Sequence, residues 1–131
     1  MATRGRKNIA TGTPWEPMVG YSRAVRVGNL VYVAGTTGTD ANGNIVDIDE
    51  PGEQARKALR NVERALVREG ATLKDVVRTR IFVKSIKDWE EIGKVHGEVF
   101  RDIRPASTLV QVSGFVDPRM LVEIEADAVI D

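Results

Sequence analysis

The chain contains 131 residues, and its 19 basic side chains balance its 19 acidic ones, so the formal net charge is zero. This balance argues against nucleic acid and membranes as partners, and the length suits one domain, residues 1–131, with a single core. Because the chain has no cysteine and one histidine, disulfides and cysteine-ligated metals are excluded, and a histidine-rich metal site is disfavoured.

The N-terminal region is polar and then rich in proline. Residues 1–13 carry a basic cluster between Arg4 and Lys7 and are predicted to form a loose tail. No apolar run in the chain has the length of a membrane span, and no signal peptide is evident, so we expect cytoplasmic residence. The segment 13–17 (Thr-Pro-Trp-Glu-Pro) is predicted to be rigid and extended, because proline fixes φ. Its Trp15 either covers a hydrophobic edge or forms a wall of a ligand pocket.

A hairpin signal comes next. Residues 23–27 and 30–34 are predicted strands, and Gly28-Asn29 between them is a two-residue turn in which glycine can adopt positive φ. The following stretch, 35–39 (Gly-Thr-Thr-Gly-Thr), can present backbone N–H groups and hydroxyls to an anion or a carbonyl. It lacks the lysine and spacing of a P-loop, so a plain loop is an equal alternative.

Two amphipathic helices are predicted. The first covers Pro51 to Glu69, and its basic residues lie off the apolar stripe, which favours a solvated surface over nucleic-acid binding. That stripe consists of Ala55, Ala58, Leu59, Val62, Ala65 and Leu66. The second helix begins at Asp88 as N-cap, with Glu91 completing a capping box. Its predicted inner stripe consists of Trp89, Ile92, Val95 and Val99, with His96 as a packing residue at the helix edge.

Two charged strands are predicted to be neighbours. In residues 76–84, the odd positions from Val77 are mostly apolar, and Arg78 and Arg80 occupy even positions. In residues 121–130, apolar residues alternate with three carboxylates: Glu123, Glu125 and Asp127. Like charges on one face repel unless cations face them, so we expect the arginines to pair with the carboxylates across the two strands. On this interpretation Glu123 is an ion-paired strand residue, and a catalytic role is its alternative.

The order strand, strand, helix, strand, helix, strand, strand predicts an α+β domain with both helices on one face of a mixed sheet. The other face of this sheet carries apolar residues among charges, namely Tyr32, Phe82, Val110 and Val112. A face of this kind is seldom left in water, so we expect a homo-oligomer with sites at subunit boundaries.

Three stretches resemble the YjgF/RidA family of reactive-intermediate (enamine/imine) deaminases. They are GYSRAVRVGNLVYVAG (20–35), EQARKALRNVERALVREGATLKDVVRTRIFVKSIKDWEEI (53–92), and RPAST (104–108) followed by VEIEADAVI (122–130). The resemblance implies a chorismate-mutase-like α+β fold and a homotrimer whose sheets form a central barrel, with three clefts between subunits. It also implies a small-molecule ligand and chemistry that needs no metal or organic cofactor.

The resemblance also implies site residues. Glu123 would position the attacking water and Tyr21 would contact the substrate. The arginine that clamps the substrate carboxylate in the archetypal deaminases corresponds to Ser107, which places the chain in a divergent subgroup. Ala34, Gly93 and Leu109 stand where the archetypes have a small polar residue, an asparagine and a cysteine. The expected substrate-binding set is Ser107, Gly35, Thr36, Ala34, Leu109, Gly93 and Trp15.

These features predict a hydrolase that deaminates a small imine, enamine or related carbonyl compound in an inter-subunit cleft. A hydroxyl cannot form a bidentate pair with a carboxylate, so we do not expect a simple 2-imino acid as substrate unless Arg104 or Arg80 replaces the clamp. One alternative is a non-enzymatic trimer that binds a small molecule or another protein. Another is a nuclease or translation inhibitor, which predicts salt-sensitive RNA binding through the basic helix face.

Overall fold

The computed structural model describes residues 5–131, and this part of the chain contains six strands and three α-helices. In chain order they are β1 (Lys7–Ile9), α1 (Trp15–Val19), β2 (Ala24–Val27), β3 (Leu30–Thr36), α2 (Pro51–Arg68), β4 (Val76–Val83), α3 (Trp89–Phe100), β5 (Ala106–Gln111) and β6 (Val122–Val129). Short 3-10 helices, Leu73–Asp75 and Ile86–Asp88, lead into β4 and α3.

The strands form one mixed sheet in the order β1-β2-β3-β6-β4-β5. All neighbours are antiparallel except β4 and β5, which pair in parallel because α3 crosses over between them. The hairpin prediction is confirmed, since Val27 pairs with Leu30 across the turn and Gly28 has φ +60°. The predicted pairing of β4 with β6 is also confirmed.

The core lies between the sheet and the two long helices. The stripe predicted for α2 is buried in full, and α2 packs against β3, β6 and α3. On β6 the side chains alternate between buried and half-buried, with Val122 and Ile124 fully buried. The predicted α+β architecture with two helices on one sheet face is therefore confirmed, and the short α1 is an addition to it.

The N-terminal predictions are largely wrong. Residues 1–4, including Arg4, lie outside the described residues, but Lys7–Ile9 form β1 and pair with β2, and Ile9 is buried in the core. This part is therefore a strand and not a loose tail. The segment around Trp15 is helical and not extended, because Pro14 and Pro17 occupy the N-cap and first turn, where a missing N–H costs nothing.

Three predictions about α3 and β4 also fail locally. The capping box does not form: the Asp88 side chain makes no capping bond, and the Glu91 carboxylate accepts a hydrogen bond from the Gly52 N–H (2.7 Å) at the start of α2. Trp89 is 53% exposed and lies off the inner stripe. Val77 is also exposed, because a register shift between Val76 and Arg78 places an extra residue in β4 there.

The face of the sheet away from the helices is open. Tyr32 and Val110 are 48% and 42% exposed on it. Arg80 lies on the same face and pairs with Glu125 (3.0 Å) and Asp127 (3.6 Å), which confirms part of the predicted ion-pair ladder.

Candidate functional site

A cavity of about 1070 Å³ opens at the end of β3, beneath α1 and the N-terminal segment. Six of the predicted site residues line it: Glu123, Tyr21, Trp15, Ala34, Gly35 and Thr36. They meet because the hairpin and β6 are neighbours in the sheet, and α1 places Trp15 over the strand ends.

Glu123 is the carboxylate of β6 that the arginine ladder leaves free. The register places Phe82 opposite it, whereas Arg80 lies opposite Glu125. Burial raises the pKa of the Glu123 carboxyl, Arg23 lowers it in part, and Glu125 raises it further. The interpretation of Glu123 as an ion-paired strand residue is therefore wrong.

Gly35 provides the space for this carboxyl. A Cβ atom on Gly35 would lie 2.7 Å from the Glu123 Cδ and 2.9 Å from its Oε1. A register shift between Val33 and Thr36 inserts an extra residue into β3 at this point. Gly35 and Thr36 therefore belong to the end of a bulged strand and not to a loop.

Arg23 is a functional candidate that the sequence analysis missed. It is buried, and its Nη1 donates to the Gly35 carbonyl (2.5 Å) and to the Thr36 hydroxyl (3.2 Å). Its Nη2 donates to the Tyr21 hydroxyl (3.2 Å). The hairpin register could have placed Arg23 near the site, because counting back from the turn pairs it with the predicted site residue Ala34. The structure has this pairing, since the Ala34 N–H donates to the Arg23 carbonyl (2.9 Å).

Glu16 fixes the N-terminal segment that covers the cavity. Its carboxylate accepts hydrogen bonds from the hydroxyls of Thr11 and Thr13, both 2.7 Å, and from the Thr11 N–H (3.0 Å). Burial raises the pKa of Glu16, but these hydrogen bonds and Arg23 outweigh it and leave the pKa below the ordinary value. An ionised Glu16 thus ties the N-terminal segment to α1.

The other three predicted residues do not line this cavity. Ser107 is exposed on the edge strand β5 and accepts a hydrogen bond from Thr79 (2.8 Å). Leu109 packs against the core, and Gly93 lies on α3. Within one protomer, the position that corresponds to the family's clamp is therefore separate from Glu123.

Neither proposed substitute for the clamp reaches the cavity. Arg80 is held by the acidic residues of β6, and the exposed Arg104 donates from Nε to the Arg101 carbonyl (3.1 Å). His96 is a packing residue as predicted, since its ring stacks on Phe100 at 4.6 Å and its Nε2 lies 2.9 Å from the Thr79 hydroxyl. Burial lowers the pKa of His96.

No group of three or more histidine, cysteine, aspartate or glutamate side chains within residues 5–131 could hold a metal ion. No helix in the same range is both long and apolar enough to cross a membrane.

Comparison with known proteins places the chain among close relatives. The family model described as Endoribonuclease L-PSP matches residues 11–130. The 3-aminoacrylate deaminase RutC of Acinetobacter baylyi is 37% identical over 120 residues, which cover 92% of this chain and 94% of the relative. The 2-iminobutanoate/2-iminopropanoate deaminase of Dermatophagoides farinae is 32% identical over 126 residues, or 96% and 98% of the two chains.

A solved structure agrees with these matches. The crystal structure of a YjgF/YER057c/UK114 family member from Mycobacterium tuberculosis superposes with a TM-score of 0.87 and 49% identity. The match covers 96% of this chain and 100% of that one.

Proposed function

Because this chain belongs to the endoribonuclease L-PSP family, the YjgF/RidA family that its sequence resembles, we propose that it is a hydrolase that deaminates a small imine or enamine. Relatives named as 3-aminoacrylate deaminase and as 2-iminobutanoate/2-iminopropanoate deaminase support this class of reaction. We propose a substrate other than a simple 2-imino acid, because Ser107 stands at the clamp position.

The observation that carries the proposal is the environment of Glu123. Its carboxyl is partly buried in the cavity, no arginine within residues 5–131 forms an ion pair with it, and burial raises its pKa. A carboxylate whose pKa is moved toward neutrality is a better general base for water than an ordinary one. Tyr21 faces the same space and can hydrogen-bond the substrate.

The proposed reaction begins with an imine, which an enamine forms by taking a proton on carbon. Water adds to the C=N carbon while Glu123 accepts a proton from that water, and the nitrogen takes a proton from solvent to give a neutral carbinolamine. Glu123 then gives its proton to the nitrogen, the C–N bond breaks with its electron pair leaving on ammonia, and the hydroxyl returns a proton to solvent as the carbonyl forms. Imine and water thus give a carbonyl compound and ammonia, with no net change at Glu123.

The proposal includes a homotrimer with sites between subunits. The open sheet face supports it, because exposed Tyr32 and Val110 lie beside the Arg80 ion pairs on a surface suited to another sheet. In such an assembly Ser107 of one protomer, which lies on an exposed edge strand, could reach the Glu123 cavity of the next.

The test is release of a keto acid from 2-aminoacrylate that a dehydratase generates from serine in the same cuvette. We expect the wild type to accelerate its decay only weakly, because Ser107 cannot clamp the carboxylate, and Glu123→Gln to lose this activity by about a hundredfold or more while keeping its melting temperature. Ser107→Arg tests the clamp in parallel. If only Ser107→Arg is active, the base is competent but the natural substrate lacks the carboxylate that the arginine reads.

A non-enzymatic ligand-binding trimer is the second candidate, and Ser107 is the observation in its favour. A hydroxyl already engaged by Thr79 offers no charge to a substrate. Inactivity of both the wild type and Ser107→Arg, with folding intact, would support this candidate over the enzyme.

A further inference from the structure

We propose that Arg23 is a positioning residue that fixes the Tyr21 hydroxyl as a hydrogen-bond donor to the ligand in the Glu123 cavity. The inference rests on the proposed function and deepens it. It requires that the substrate carries an acceptor atom, such as a carbonyl or carboxylate oxygen, next to the carbon that water attacks.

The burial of Arg23 is the first observation. Only 7% of this residue is exposed, and a buried guanidinium normally has a carboxylate in direct contact. Its ion pair with Glu16 is long (3.7 Å), and the Glu16 carboxylate accepts its hydrogen bonds from Thr11 and Thr13 and not from Arg23. Arg23 instead donates to neutral acceptors in the cavity wall. Such an arrangement is a poor way to stabilise a fold, which favours a role in the site.

The direction of the Tyr21 proton is the second observation. Because Arg23 Nη2 donates to the Tyr21 oxygen (3.2 Å), the hydroxyl proton must point elsewhere. Within residues 5–131 no protein group accepts it, and Tyr21 lines the cavity. The Arg23 guanidinium carbon also lies 5.5 Å from the centre of the Tyr21 ring and restricts the ring's orientation. The proton is therefore available to a ligand.

The link to Glu123 is the third observation. The same guanidinium donates to the Gly35 carbonyl (2.5 Å), and Gly35 is the residue on which the Glu123 carboxyl rests. The buried Arg23 thus fixes both the Tyr21 hydroxyl and the Gly35 backbone that contacts the Glu123 carboxyl. Its charge also opposes the effect of burial, which raises the pKa of Glu123.

These contacts define the chemistry of the ligand. A phenol whose oxygen accepts from a guanidinium is a stronger donor and a poorer acceptor than an isolated phenol. It suits an atom that gains negative charge as water adds, or a carboxylate oxygen beside the reacting carbon. A substrate whose only polar group is an N–H donor would not be held.

Ligand binding is measured with pyruvate as the probe, because it carries both kinds of acceptor oxygen. Trp89→Phe removes the fluorophore outside the cavity and leaves Trp15, which lines it, as reporter. In this background we expect Tyr21→Phe and Arg23→Gln each to weaken pyruvate binding by about tenfold, the scale of one charge-supported hydrogen bond. The double variant should bind no more weakly than either single variant, because both remove the same interaction.

Arg26→Gln is the matched control. Arg26 lies on β2, three residues after Arg23, and donates to the Gly28 (2.9 Å) and Glu69 (2.8 Å) carbonyls, outside the cavity. It should leave pyruvate affinity unchanged. Additive losses in the double variant, or unchanged affinity in Arg23→Gln, would overturn the inference.

Arg23→Lys separates charge from position. Lysine keeps the cation but cannot hold the Gly35 carbonyl and the Tyr21 hydroxyl together. Carbon-13 NMR titration should find the pKa of Glu123 raised in Arg23→Gln and close to wild type in Arg23→Lys, while pyruvate binding falls in both. If neither variant changes the titration or the affinity, Arg23 has no such role.

The outcome does not depend on turnover. If both Arg23 variants fail to fold, Tyr21→Phe still decides, because retained pyruvate affinity in that variant excludes a donor role for Tyr21. If the protein releases no keto acid but the effects of the Arg23 and Tyr21 substitutions on pyruvate binding are not additive, the proposed reaction is refuted and the inference stands. If it releases keto acid but these two effects on binding are additive, only the inference is refuted.

Discussion

Gly35 determines where the Glu123 carboxyl can lie, because an added Cβ would meet its Cδ at 2.7 Å. The clashing atoms are the far end of a flexible side chain, so Gly35→Ala should move the carboxyl and change the free energy of unfolding by less than about 1 kcal/mol. Misplacing a base by this amount should lower keto-acid release by about tenfold to a hundredfold.

Gly97→Ala is the control for this change, because a Cβ at that position in α3 meets nothing within 4 Å. It should leave the rate unchanged. Equal rates in wild type and Gly35→Ala would show that the position of Glu123 is not critical.

Glu69 gives the chain a pH-dependent stability. It is 1% exposed, both carboxyl oxygens lack partners, and burial raises its pKa although Lys7, Arg26 and Arg68 lower it in part. Because its pKa is higher in the folded state, the protonated Glu69 carboxyl favours folding. This contribution to the free energy of unfolding is complete below the ordinary pKa of 4.5 and is lost as the pH rises through the folded-state pKa. Glu69→Gln should therefore gain stability relative to wild type as the pH rises from 4.5 through the folded-state pKa of Glu69.

Urea unfolding at a series of pH values measures this difference. Glu63→Gln, an exposed change on the same helix, should show no such trend. A stability difference between Glu69→Gln and wild type that is constant with pH would contradict the assignment.

At the residue scale, a motif can give the position of a candidate but not its burial. The resemblance pointed to Glu123 and Tyr21, the glycine-threonine stretch pointed to Gly35, and the structure brings the three residues together around one cavity. The ion-pair prediction for Glu123 failed because alternation gives the face of a strand but not its register. Arg23 was missed because the hairpin register gives the backbone partner of each residue but does not show which of the two arginines in residues 23–27 has a buried side chain.

At the scale of elements, Gln54 joins α2 to the segment that leads into β6. It is fully buried, its Nε2 donates to the carbonyls of Arg119 (3.0 Å) and Asp47 (3.3 Å), and its Oε1 accepts from the Leu121 N–H (2.9 Å). Gln54→Leu leaves these backbone groups without partners and should cost about 2–4 kcal/mol in urea unfolding. Val67→Ala, at an exposed position of α2, should cost less than about 0.5 kcal/mol.

The long elements could be predicted because their periodicity is strong. The stripe of α2 and the alternation of β6 each repeat several times, so the errors at their ends are one residue. The short α1 could not be predicted from its two prolines, which suit extended chain and a first helical turn equally. The capping-box prediction failed because the spacing of Asp88 and Glu91 does not show that Glu91 bonds Gly52, on another helix.

At the scale of the whole molecule, the open sheet face is the surface through which the proposed homotrimer would assemble. Sedimentation should give three times the 14.4 kDa mass of the chain. Tyr32→Glu places a charge on a residue that is 48% exposed in the protomer and should dissociate the trimer, because an unpaired buried charge costs several kcal/mol.

Val67→Glu is the control, since this residue is 59% exposed on the outer face of α2. It should leave the mass unchanged. A Tyr32→Glu protein that sediments as the wild type does would show that this face is not the interface.

The bulge in β3 also bears on how this protein can diverge. Upstream of it, Val31 and Val33 face the core, and downstream Thr36 does so, because the extra residue reverses the alternation. The part of β3 that pairs with β2 and the part that lines the cavity are thus separate segments of the strand. Side-chain substitutions within residues 34–36 that change ligand specificity need not disturb the pairing of β2 with β3. Related proteins can therefore acquire new ligands during evolution while they keep the same fold.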